Sequence, residues 1–168
     1  MKELSSNYDI YPPVRLRGQL WGEPFVGAGY TGVRLGRPRG TFSGTDALGM
    51  SVNPDAVAWL GEDDLPTIVF GEGARLANER FLSALATRYK TLVVLLMARN
   101  AAERRLERGS HQNPTWIKGR KTASYRMFER AMELGIPALA IDTTSIEPAT
   151  VADNIRDAID LPMDYRSV

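Results

Sequence analysis

The sequence predicts an α/β fold, a mostly parallel sheet flanked by helices, within a single domain over residues 1–168. Three observations predict it. Short apolar runs recur at TIVF (67–70), TLVVLLMA (91–98) and PALAID (137–142). The segments between them carry helical spacing and capping residues. The resulting order over residues 66–159 is β-α-β-α-loop-α-β-α, the alternation that gives parallel strands joined by right-handed helical crossovers.

The elements follow in chain order. Residues 1–45 form a Gly/Pro/Arg-rich segment that offers little core, so irregular chain is expected there. Short strands are expected near Val14–Leu16 and Val33–Leu35, with a turn at Thr41–Gly44. Asn53-Pro54-Asp55 reads as a helix start: a capping side chain, a proline in the first turn, and an acid at the positive end of the helix dipole. Gly61 ends that helix. Pro66 leads into the strand TIVF, which Gly71 closes. Helical periodicity over 74–88 follows. TLVVLLMA is too short to span a membrane and lacks alternation, as a central parallel strand does. Asn100 and Glu103 have cap-plus-acid spacing. GSHQNPTWIKG (109–119) reads as a loop or small lid, and a helix over about 118–134 ends at Gly135. After PALAID, Thr150 and Asp153 repeat the cap spacing, and a last helix runs to about Ile159.

Composition narrows the class. The 168 residues suit one domain, and 43% hydrophobic residues supply a core. A charged fraction of 24% sets the chain apart from disordered sequences. With no cysteine there is no disulfide and no cysteine metal site, which fits a reducing compartment. The opening MKELSSNYDIYPPVRLRG lacks the apolar stretch of a secretory signal. A cytoplasmic protein is expected, with no membrane contact. One histidine excludes the common zinc sets, and the chain carries no HExxH or EF-hand pattern. The net charge of +1 conceals segregation: residues 99–130 hold nine basic and three acidic groups, residues 131–168 two and seven. Such a positive segment attracts phosphate, nucleotide or nucleic acid, and equally suits a solvated helix surface.

Residues 66–159 resemble the later part of P-loop nucleoside and nucleotide kinases of the adenylate- and thymidylate-kinase-like group. TIVFGEGARL resembles the strand and loop that carry an acid near the phosphates. TLVVLLMARNAAERRLERG resembles a core strand entering the basic helix near the nucleotide lid, and IPALAIDTTS the last core strand and the loop beside the base. SGTDALGM (43–50) and the helix after it look like a substrate-side segment. The proline-, glycine- and arginine-rich style is similar to that of small actinobacteriophage proteins, for which the location would be the host cytoplasm. The resemblance implies ATP and magnesium as ligands, with no haem or iron–sulfur site. The signature GxxxxGK[ST], whose amides and lysine surround phosphates, is absent from the sequence; GEPFVGAGYTG and GVRLGRPRG lack its lysine and hydroxyl pair. The fold is therefore expected to be P-loop-kinase-like but incomplete or diverged at its N-terminus, with a partner supplying a P-loop as one way to complete it.

The candidate residues follow from chemistry and position. Glu72, after the strand TIVF, is placed to orient a magnesium-bound water or accept a substrate hydroxyl proton, or to accept backbone hydrogen bonds in its glycine turn. Arg75 suits a substrate phosphate or an ion pair with Glu72 or Glu79. Asp46 suits recognition of a hydroxyl or base amine, or the cap of a turn. Arg104 and Arg108 share a helix face, Arg105 is offset, and Arg99 precedes them; arginine donors match phosphate and developing transition-state charge. Glu103 and Glu107 offer these arginines local partners. Trp116 suits base stacking or anchoring of the loop, and Lys118, Arg120 and Lys121 extend the positive field. Two functions follow. One is binding of a nucleotide or phosphorylated ligand, with phosphoryl transfer to a nucleoside, nucleotide or modified base; Glu72, Arg104, Arg105 and Arg108 would be catalytic, and the other residues would bind substrate. The other is a nonenzymatic nucleic-acid-binding or assembly protein that docks through residues 99–130.

Overall fold

The computed structural model describes residues 8–27, 29–37, 47–73, 75–107, 109 and 113–159. They fall into two compact units, one up to Tyr89 and one from Lys90 onward.

The first unit holds β1 (Asp9–Ile10), β2 (Val14–Arg17), β3 (Leu20–Gly27), β4 (Tyr30–Leu35), α1 (Asn53–Trp59), β5 (Ile68–Phe70) and α2 (Glu79–Arg88). Strand β3 organises its sheet. β1 and β2 pair with it antiparallel on one side, β4 pairs antiparallel on the other, and β5 adds parallel to β4. The sheet is therefore mixed rather than mostly parallel. The segment expected to be irregular carries four strands, because its glycines make the tight reversals that antiparallel neighbours need. At the β2–β3 reversal Gly18 has a φ of +47°, and the next amide, Gln19 N–H, donates to Asp55 Oδ2 at 2.8 Å. The hairpin is thereby tied to the first turn of α1.

Strand β3 was hidden by its own composition. LWGEPFVG contains two glycines and a proline, residues that weaken a strand reading. Pro24 lies between the stretch of β3 paired with β2 and the stretch paired with β1. There a missing N–H costs little. The core beneath the sheet gathers Leu20, Val33, Leu35, Leu48, Val52, Ala56, Trp59, Leu60, Leu76 and Phe81. It draws on β3, β4 and both helices. Burial of such side chains contributes about 1.5–3 kcal/mol each.

The second unit holds β6 (Val93–Met97), α3 (Ala101–Glu107), α4 (Pro114–Glu133), β7 (Ala138–Asp142) and α5 (Pro148–Ala158). β6 and β7 run parallel in register from Val93↔Ala138 to Met97↔Asp142. The run TLVVLLMA is thus a parallel strand as expected, but not a central one: among the described residues β6 pairs only with β7. Leu95, Ala131, Ile136, Ile141, Val151 and Ala152 are buried, so α4 and α5 close this unit's core against the strand pair.

The helix starts differ from expectation in instructive ways. Val52, not Asn53, is the N-cap of α1. Asn53 instead sends its side-chain amide to the Arg75 carbonyl at 3.0 Å and accepts from Asn78 Nδ2. Helix α2 begins at Glu79 rather than 74, because Asn78 Oδ1 caps it by accepting from Phe81 N–H at 3.1 Å. Helix α4 begins at Pro114 rather than near 118: Asn113 Oδ1 accepts from Thr115 N–H at 2.8 Å, and proline suits the first turn. Trp116 and Lys118 therefore lie on a helix, not in a loop. The N-cap of α5 is Glu147, followed by Pro148, in place of Thr150. The turn expected at Thr41–Gly44 lies outside the described residues.

Candidate functional site

In the second unit the carboxyl ends of β6 and β7 lie side by side, and each strand runs on into a polar turn. This is the edge of a parallel sheet where ligands characteristically bind. After β7, Asp142 Oδ1 accepts from the Thr144 N–H at 3.0 Å and from the Thr144 hydroxyl. These two bonds, the hydroxyl first, hold the Asp142 carboxyl below its ordinary range, and the Arg99 guanidinium adds to the effect. Asp142 is therefore ionised at neutral pH. Arg99, after β6, stands with Nε 3.6 Å from Asp142 Oδ2, and its own N–H donates to the Thr144 hydroxyl at 2.9 Å. Thr143 sends both its N–H and its hydroxyl to the Met97 carbonyl, at 2.7 and 2.9 Å. The two turns are thus latched together.

Arg104 completes the latch. Its Nη2 donates to the carbonyl oxygens of Thr143 and Thr144, at 2.9 and 2.8 Å. Asn100 opens α3, and its backbone carbonyl accepts from Arg104 N–H at 3.0 Å. The Asn100 side chain does not cap the helix as expected: its Oδ1 is buried and has no hydrogen-bond partner. On α4, Arg120 stacks over the Trp116 ring at 5.3 Å, and Lys121 lies 5.9 Å from the Tyr125 ring. Trp116 remains 45% exposed, so its ring keeps a free surface.

In the first unit β4 and β5 also run parallel, so their carboxyl ends face the same way. Gly71-Glu72-Gly73 follows β5, with Gly73 at a φ of +88°. Glu72 is exposed, and among the described residues its carboxylate has no hydrogen-bond or ion-pair partner. Among the described residues no backbone N–H of the glycine turn donates to it. Arg75 does not pair with Glu72 either. It reaches Met50 Sδ through Nη1, and its buried Nε has no partner.

Residues 25–159, more than half of the chain, match the family model described as P-loop Nucleotide Kinase3. The chain belongs to this P-loop nucleotide kinase family. No curated protein and no solved structure matches it. The family match covers β4, β5, β6 and β7 entirely, so both strand-end edges of this P-loop nucleotide kinase family member lie inside it.

Of the residues singled out in the sequence, Glu72 and Arg75 fall in the first unit. Arg99, Arg104, Trp116, Lys118, Arg120 and Lys121 fall in the second. Asp46 and Arg108 lie outside the described residues, as does the side chain of Arg105. Lys118 is exposed on α4. Sequence reasoning passed over Asp142 and Thr144, although both stand in the quoted stretch IPALAIDTTS. An acid one residue before a Thr-Thr pair at a strand end is the signal that marks them, through the Asx-type turn it favours. Among the described residues no group of three His, Asp or Glu side chains is placed to hold a metal ion. Magnesium would fit only as a nucleotide-borne ion touched by one carboxylate, and Glu72, exposed after β5, is an acid without a partner among the described residues. No helix is long and apolar enough to cross a membrane among the described residues.

Proposed function

We propose that this chain binds a nucleoside triphosphate with magnesium and transfers its terminal phosphoryl group to a nucleoside, nucleotide or modified base. The observation that carries the reading is the latched turn at the ends of β6 and β7, where Asp142, Thr144, Arg99 and Arg104 meet within the family-matched residues. Arg104 spends its donors on the Thr143 and Thr144 carbonyls, so its part is to position the turn. Arg99, exposed and only loosely paired, brings positive charge for the phosphates, and Arg105 and Arg108 are proposed to share that task. Glu72 is the general base: its carboxylate takes the acceptor hydroxyl proton as the new O–P bond forms and the bond from the γ-phosphorus to the β–γ bridging oxygen breaks, the nucleoside diphosphate leaving with that oxygen. Without a GK[ST] lysine, phosphate charge falls to arginine, magnesium or a partner that brings a P-loop.

Calorimetric titration of ATP, with and without magnesium, tests binding, and ADP release over a panel of nucleosides and nucleotides tests transfer. Binding that requires magnesium is expected. Glu72→Gln should keep the affinity within about twofold while turnover falls about 100-fold or more, the scale of a lost acid–base group. A folded protein that binds no ATP in the presence of magnesium would overturn the reading.

A further inference from the structure

The first unit holds a second cationic site, which joins Arg15 and Trp21, before the family-matched residues, to Arg37 within them. Trp21 lies on β3, directly opposite Arg15 of β2. From the other side, the Gly36 N–H donates to the Trp21 carbonyl at 2.7 Å and brings the next residue, Arg37, alongside. β2 and the chain leaving β4 thus each bring an arginine to one indole. Arg15 Cζ lies 5.2 Å and Arg37 Cζ 4.4 Å from the ring centroid. Together with Gly18, Gln19, Leu48 and Gly49 they line a cleft of about 320 Å³.

The charge pattern around this cleft is selective. Arg17 and Arg34, on the same strands, are each matched by a carboxylate: Arg17 by Glu62 at 2.7 Å, Arg34 by Glu23 at 2.6 Å. Arg15 and Arg37 face no carboxylate among the described residues, and the described lining contains no acid. A cation–π contact with Trp21 holds each guanidinium near the ring without using its N–H donors. Two guanidinium groups thus flank one indole, and no carboxylate among the described residues faces either of them. A phosphate group in the cleft would offset this unmatched positive charge and accept from arginine N–H donors in the bidentate manner arginine favours.

We propose that Arg15, Trp21 and Arg37 form a binding site for a phosphate-bearing small molecule in the first unit. Trp21 positions the two arginines, and the phosphate oxygens take their N–H donors. The cleft is large enough for more than a lone phosphate, so a diphosphate or a mononucleotide fits within it.

The test uses the full chain with inorganic pyrophosphate, AMP and adenosine as probes. The sequence contains three tryptophans, so three indole N–H signals report in a nitrogen–proton NMR spectrum. Pyrophosphate and AMP should move the Trp21 signal, identified by its loss in Trp21→Phe, and adenosine should not. Arg15→Gln with Arg37→Gln should weaken this response 10-fold or more. Arg17→Gln, which removes a paired arginine of the same strand, should leave it within twofold, and so should Glu72→Gln. Those controls separate this site from the proposed phosphoryl-transfer site. A Trp21 signal that stays still under millimolar pyrophosphate overturns the proposal. So does an equal response in the folded double variant, or an equal loss in Arg17→Gln.

Discussion

Arg104 reaches from α3 to the backbone carbonyl of Thr143, 2.9 Å away, and by that one side chain a helix following β6 grips the turn following β7. A charged donor to a carbonyl in a half-buried setting contributes about 1.5–3 kcal/mol. Arg104→Ala is expected to destabilise the second unit by about that amount in urea unfolding. Arg104→Lys should recover only part of it, because an ammonium cannot reproduce the planar reach to Thr143 and Thr144 together. Unchanged stability in Arg104→Ala would show that the arginine does not brace the turn.

Phe25 and Gly32 are paired across β3 and β4, and the Phe25 ring lies over Gly32. A Cβ added at Gly32 would fall 2.0 Å from Phe25 Cζ, well inside the ring's contact distance. The ring is wedged between Tyr8 and Phe70, with centroids at 4.7 and 5.5 Å, so it has little room to yield. Gly32→Ala should cost about 1–3 kcal/mol, the usual penalty of overpacking, read as a lowered Tm. A Tm equal to the parent's would mean the ring moves aside freely.

Asn78 does two things at once: it caps α2 and donates to Asn53 at the start of α1. Loss of the cap alone costs about 1 kcal/mol. Asn78→Ala should exceed that, and Asn78→Ala with Asn53→Ala should cost less than the sum of the two single changes. Strict additivity in a double-mutant cycle under chemical denaturation would deny the coupling.

Asp142 titrates below its ordinary range chiefly because the Thr144 hydroxyl donates to it. A lowered folded-state value gives stability that is present above the unfolded carboxyl's titration and is lost as pH falls through the folded one. Thr144→Val should move the Asp142 midpoint upward in a carboxyl-carbon NMR titration and shrink that acid-range dependence. Arg99→Ala should move it less, and high salt should screen the Arg99 part. A midpoint indifferent to Thr144→Val would refute this assignment.

The parallel strands were legible because buried parallel strands are written as unbroken apolar runs: IVF, VVLLM and ALAID stand where the sequence put them. Strand β3 was not legible, because Gly22, Pro24 and Gly27 earn their places from neighbouring strands that no local pattern reveals. Glu72 could be picked out from its position after a strand. The Arg15–Trp21–Arg37 cluster could not, since it joins residues from three separate strands and turns. Asn53 and Asn100 illustrate the same limit in miniature. Each looked like a helix cap, and tertiary partners or burial decided otherwise. Asn113, whose partner is two residues away, behaved as local chemistry dictates.

The family match opens at residue 25, in the middle of β3, and that strand is indivisible. Its earlier half supplies Leu20, wholly buried in the core, and Glu23, the carboxylate facing Arg34. A chain trimmed to the shared region would strip Gly22, Glu23 and Pro24 from their partners Leu35, Arg34 and Val33. The far half of β4 would become a raw sheet margin, open to pairing with another copy. The start of the family-matched region and the edge of the folding unit therefore do not coincide in this molecule. The hairpin built with residues before 25 is a structural obligation for the rest of this unit.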